Sequence, residues 1–103
     1  MIKVSVLYPN GNGNKFDMSY FCDNHIPMVR EKLGSACKQI AVEAGLGGAE
    51  DGSPAAFVAM GHLYFDSLDA FQNSFGPHSD SIMGDIPNYT DIQPVIQVSE
   101  VKI

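Results

Sequence analysis

FDMSYFCDNHIPMVREKLG, residues 16–34, is the stretch whose reading decides how the rest of the chain is placed. Asp17 is a good helix N-cap, since its carboxylate can accept from the free amides of the first turn, and Phe16 before it can pack on Phe21 as a hydrophobic staple. Gly34 suits the left-handed conformation that closes a helix, and Arg30 and Lys32 oppose the negative end of the helix dipole. At helical spacing Met18, Phe21, Cys22, Met28, Val29 and Leu33 share one side, opposite Asp17, Asp23, Asn24, Arg30 and Glu31. His25 falls on the apolar side. Pro27 removes a main-chain donor and clashes with the Asp23 carbonyl, so a kink is expected beside the imidazole. An inward imidazole next to a local break is a candidate site, although a core histidine bonded to a backbone carbonyl fits the same pattern.

Working outward, residues 2–8 alternate and are β-branched, with Ile2, Val4, Val6 and Tyr8 on one face of a first strand. Pro9 and the NGNGN run at residues 10–14 form a turn that leads into the helix. Residues 38–44 read as a second strand, with Ile40, Val42 and Ala44 against Gln39, Ala41 and Glu43. Residues 45–55, glycine-rich and acidic, match no nucleotide fingerprint and read as a long hairpin loop of the kind that often serves as a lid. Phe57–Phe65 is the most hydrophobic strand and is apolar on both faces, so Val58, Met60 and Tyr64 require a cover of their own, with His62 at their centre. Ser67 caps a second helix bearing Leu68, Phe71 and Phe75, which Gly76-Pro77 ends. A further helical turn at residues 78–83 and an ordered loop at residues 85–90 precede a last strand at residues 91–103, where Pro94 points to an edge or a bulge.

Length and charge narrow the function classes. The 103 residues, 45% of them hydrophobic, make a single domain, residues 1–103, with one core. A net charge of −6, from 12 acidic and 6 basic residues, disfavours nucleic acid and anionic membrane surfaces as partners. No signal-peptide pattern and no long apolar run is visible, and Cys22 and Cys37 belong to no CxxC or zinc-like spacing, so a cytoplasmic protein with free thiols is expected. The order β, α, β, β, α, β implies an α+β, ferredoxin-like fold, a four-stranded antiparallel sheet with two helices on one face. The bare apolar sheet face is most simply covered by a homodimer.

Particular residues then resemble a known family. Tyr8-Pro9, the Phe16-Asp17 helix start, the Y-x4-H-x-P sequence from Tyr20 to Pro27, and Asp85-Ile86-Pro87 with Tyr89-Thr90 together look like the EthD family. The resemblance covers nearly the whole chain and implies a dimeric α+β barrel, in which two ferredoxin-like sheets pair across a two-fold axis. Similar folds include muconolactone-type isomerases, polyketide cyclases, small cofactor-free monooxygenases and haem-dependent relatives. A lactone methylisomerase resembling this family uses a helix histidine in proton transfer, which carries over to His25.

Three functions follow as expectations. The first is an enzyme without cofactor that binds a small apolar or aromatic organic molecule, with His25 moving a proton in isomerase, cyclase, lactone-type or oxygenase-linked degradation chemistry. Tyr8 and Tyr20 would orient a substrate carbonyl, and Phe16, Phe71 and Phe75 would wall the pocket, although each also reads as a core residue. The second is a dimeric, non-catalytic accessory protein that holds a hydrophobic intermediate for a neighbouring oxygenase. The third, haem binding, needs an axial ligand that His25, His62 and His78 do not select, and no two histidines fall at zinc spacing, so no metal is expected.

Overall fold

The computed structural model describes residues 1–11 and 13–103; Asn12, in the turn expected at residues 10–14, lies outside the described residues. The strands are β1 (Ile2–Pro9), β2 (Cys37–Ala44), β3 (Phe57–Phe65) and β4 (Val95–Glu100). Between β1 and β2 run α1 (Met18–Tyr20), a π-helical turn (Phe21–His25) and α2 (Ile26–Leu33), and between β3 and β4 run α3 (Leu68–Phe75) and α4 (Ser79–Gly84). This is the expected βαββαβ order, with the second helical unit broken at Gly76-Pro77.

The sheet order is β2-β3-β1-β4 and every neighbouring pair is antiparallel. β3, apolar on both faces, takes an inner position. β4 is an edge strand, and Pro94 lies just before it, where its missing N–H costs no ladder bond. The last strand is therefore shorter than the span expected from residue 91 onward.

The caps act as the side chains dictate. Asp17 accepts from the Tyr20 amide at 3.0 Å, and Ser67 accepts from the Ala70 amide at 3.1 Å. Gly34 ends α2 at φ +61°, a backbone conformation that only glycine adopts without strain. On the helix-covered face, Val4, Val29, Leu33, Leu63, Phe65 and Ile82 form one buried cluster, and Tyr8, Phe21, Ala59, Tyr89 and Ile92 form a second. Leu68, expected on the core side of α3, is exposed instead.

Among the described residues no helix lies over the other sheet face. There Met60 and Tyr64 are half-buried, whereas Val58, expected beside them, packs against the second buried cluster. Ser5 Oγ stands 3.1 Å from His62 Nδ1, and His62 Nε2 stands 3.3 Å from Glu43 Oε1, so three strands are joined by a polar row. His62 thus has partners at both ring nitrogens and lies on the sheet face away from the helices.

Candidate functional site

The site begins with a local misfit in the first helix. Pro27 cannot donate a backbone bond, and the chain answers with a π-helical turn, in which the Ile26 amide reaches back to the Phe21 carbonyl. Ordinary helical geometry turns a row spaced by four residues about 40° per step around the axis. The wider π turn slows that drift, and Phe21, His25, Val29 and Leu33 are all buried. Cys22, expected on the apolar side at regular spacing, is turned out and exposed. A kink at Pro27 was the sequence expectation; the widened turn is how the strain is taken up.

The segment after α4 supplies the partner of His25. His25 Nδ1 lies 2.8 Å from Asp85 Oδ2, while Tyr20 Oη donates to Asp85 Oδ1 at 2.7 Å and Asn88 Nδ2 donates to the same oxygen at 2.8 Å. Burial pushes the Asp85 carboxyl up, but the bonds from Asn88, His25 and Tyr20 outweigh it and hold the group below its ordinary value. An ionised carboxylate only accepts, so Nδ1 carries the hydrogen and Nε2 is the ring nitrogen left for a ligand. The two elements are tied together elsewhere as well: Phe16 pairs with Thr90 in an antiparallel bridge, and the Asp17 amide donates to the Tyr89 carbonyl at 2.7 Å.

The lowered pKa of Asp85 has a pH consequence of definite sign. Its contribution to stability is present above the unfolded value near 3.8 and is lost as pH falls below it through the lower folded value. The melting temperature of Asp85→Asn, followed from neutral pH into acid, should therefore fall less steeply than that of the wild type. A parallel acid limb in the two proteins would contradict the assignment.

Aromatic rings pack around the dyad. The Tyr89 ring centroid is 4.7 Å from that of His25, and Phe21 stacks on the imidazole at 5.8 Å. The Tyr8 and Tyr89 hydroxyls are 2.6 Å apart and share a hydrogen bond. Burial raises both phenols above the ordinary 10.0, strongly for Tyr89, where the Tyr8 hydroxyl and the Asp85 charge add to it. Both acids are neutral in the fold, so their stabilising effect is full below pH 10.0 and is lost as pH rises beyond it. In an alkaline titration, tyrosinate absorbance from these two residues should appear together with loss of far-ultraviolet helix signal. Ionisation of all four tyrosines in the still folded protein would contradict their burial.

A cavity of about 100 Å³ lies between sheet and helices. β1 contributes Val4 and Val6, β3 contributes Gly61 and Leu63, and the helical layer contributes Phe21, Val29, Phe71 and Phe75. Among the described residues, His25 is the one ionisable side chain in this lining. Met83 of α4 and Ile96 of β4 also line it and are 40% and 46% exposed, which puts the mouth between these elements.

Phe71 and Phe75 of the candidate residues share this cavity with His25, whereas Tyr8, Phe16 and Tyr20 stand outside it. Tyr8 is turned into the second buried cluster by its bond to Tyr89, Phe16 packs on Tyr8 and Phe21 at centroid distances of 5.0 and 5.1 Å, and Tyr20 is drawn to Asp85. The 45–55 loop does not reach the lining, and His78 lies at the start of α4 away from it. Among the described residues no group of three His, Cys, Asp or Glu side chains is placed to hold a metal ion. Asp85 and Tyr89 are the additions: both lie in the resemblance motifs, but no local spacing signals that they converge on His25.

Comparison with known proteins bears on the whole chain. The family model described as the EthD domain matches residues 14–93. The crystal structure of an EthD-like protein from Ralstonia eutropha JMP134 is 51% identical, covers 99% of this chain and 92% of its own, and superposes with a TM-score of 0.95. An ethyl tert-butyl ether degradation (EthD) family protein from Bacillus halodurans C-125 is 15% identical over 99% of both chains, with a TM-score of 0.68. A protein from Arabidopsis thaliana is 10% identical, covers 100% of this chain and 97% of its own, and has a TM-score of 0.70. The last two are similar in fold alone. No curated protein matches the chain.

Proposed function

The chain belongs to the EthD family, and on that premise we propose that it binds a small, largely apolar organic molecule in the cavity beside His25 and transfers a proton on it. The observation that carries this reading is His25 itself, an imidazole held at Nδ1 by Asp85 in an otherwise apolar lining. A base with one fixed tautomer and one nitrogen toward an apolar pocket suits removal of a proton from carbon beside a carbonyl. The proton passes to Nε2 and the C–H electron pair moves into the carbonyl system as an enolate. The imidazolium that forms is stabilised by the Asp85 carboxylate, and it returns the proton to the same or another carbon, which gives exchange or isomerisation. Asp85 is a positioning residue in this scheme, with Tyr20 and Asn88 holding it in turn.

Several features belong with the same reading. The open face of the sheet, with Met60 and Tyr64, is the surface on which a second copy would pack to form a dimeric α+β barrel. Free Cys22 and Cys37 and the acidic balance of the chain suit a cytoplasmic protein. Among the described residues no helix is long and apolar enough to cross a membrane.

The test is solvent deuterium exchange into cyclopentanone, followed by proton NMR in heavy water with the protein at catalytic concentration. Exchange at the carbons beside the carbonyl, above that of free imidazole, is the expected result. Binding of the ketone without exchange would turn the reading to the accessory protein that holds a hydrophobic intermediate. Absence of both would overturn it.

A further inference from the structure

β3 presents Ala59, Gly61 and Leu63 to the helical layer, and Gly61 is bare backbone in the wall of the cavity. Glycine inside a strand weakens it and marks a bulge or a place where something must come close. Neither a bulge nor a special backbone conformation accounts for this one. The ladders to β1 and β2 run through it in regular register, opposite Val6 and Val42, and its φ is not positive. Crowding does not account for it either, because a Cβ at Gly61 would meet the Phe21 ring at 3.7 Å, an ordinary contact, and nothing nearer. What a methyl group there would take is cavity space.

We propose that Gly61 sets the size limit of the ligand, serving as the floor on which a single uncharged ring lies, with the ring's one polar group, a hydroxyl or an enol, turned to His25 Nε2. The inference rests on the proposed function and names its ligand class. An anion is disfavoured: against Val4, Val6 and Leu63 a carboxylate or phosphate would lose its water with a single imidazole in exchange. Size points the same way. An apolar cavity of roughly 150 Å³ accommodates benzene in another protein, and the cavity here, of about 100 Å³ with its mouth at Met83 and Ile96, suits one small ring.

The test uses phenol and benzene as probes, measured by calorimetry and thermal shift on the wild type, Gly61→Ala and His25→Gln. The wild type should bind phenol more tightly than benzene. Gly61→Ala should keep or raise the melting temperature and weaken both probes by about tenfold or more, as overpacking does. Adding Val6→Ala, which removes volume directly across the ladder from Gly61, should restore them. If Gly61→Ala binds both probes as the wild type does while His25→Gln loses the preference for phenol, the inference about Gly61 is overturned and the proposed function stands. If the wild type binds neither probe, the inference is overturned, and the exchange into cyclopentanone decides the proposed function separately.

Discussion

His25→Gln should lower deuterium exchange into cyclopentanone by about 10²- to 10⁴-fold, the range that a positioned general base contributes. Glutamine keeps a polar side chain that can still donate to Asp85, so packing and the carboxylate's partners are largely retained while the base is removed. Asp85 also keeps its bonds from Tyr20 and Asn88 in this variant, and no bare buried charge is created. A melting temperature close to that of the wild type would show that lost activity is lost chemistry. Asp85→Asn should reduce exchange as well, because an amide can present an oxygen or an N–H to Nδ1 and no longer fixes the tautomer. Its pH–rate profile should move, whereas a merely structural role for Asp85 would leave the profile in place. Undiminished exchange in His25→Gln would remove the imidazole from the reaction.

The second large effect concerns the open sheet face. Met60→Asp should convert the proposed dimer to monomers, read by sedimentation or light scattering at micromolar concentration. Met60 sits on β3 beside Tyr64 and the Ser5–His62–Glu43 row, with no helix above it among the described residues. Two-fold packing buries such a substitution twice, and each unpaired carboxylate costs several kcal/mol to desolvate. In a monomer the same side chain reaches water at the smaller cost of facing Glu43 across the ladder. Unchanged dimer mass in Met60→Asp would place the contact elsewhere, and a monomeric wild type would remove it.

Short-range chemistry made most of the fold legible. Asp17 and Ser67 cap through their own neighbours, Gly34 takes its turn conformation alone, and the two-faced apolar pattern of Phe57–Phe65 marks a strand that needs cover on both faces. Regular spacing fails where one residue changes the register. The π turn before Pro27 shifts the helix faces enough to turn Cys22 outward, and a fixed 100° wheel has no means of showing that.

The site was only half legible for a related reason. His25 stands out because an imidazole on an apolar helix face is locally anomalous. Asp85, 60 residues away, looks like an ordinary turn residue before Ile86-Pro87 until the fold brings its carboxylate to Nδ1. By type Tyr8 and Tyr20 look like pocket groups, yet their hydroxyls are taken by protein partners, Tyr8 by Tyr89 across 81 residues and Tyr20 by Asp85 across 65. A polar group that will be buried must find such a partner, and sequence spacing does not say which. Gly61 was visible as one more small residue on the inner face of β3; only the cavity beside it gives it a role.

The most direct test of the central claim is nitrogen NMR of the His25 imidazole in protein labelled with nitrogen-15 histidine, recorded with and without phenol. The account predicts a hydrogen on Nδ1 and a bare Nε2 in the free protein, with the Nε2 resonance moving as phenol is added and the Nδ1 resonance staying bonded to Asp85. A hydrogen on Nε2 in the free protein, or an Nε2 resonance indifferent to phenol, would contradict it.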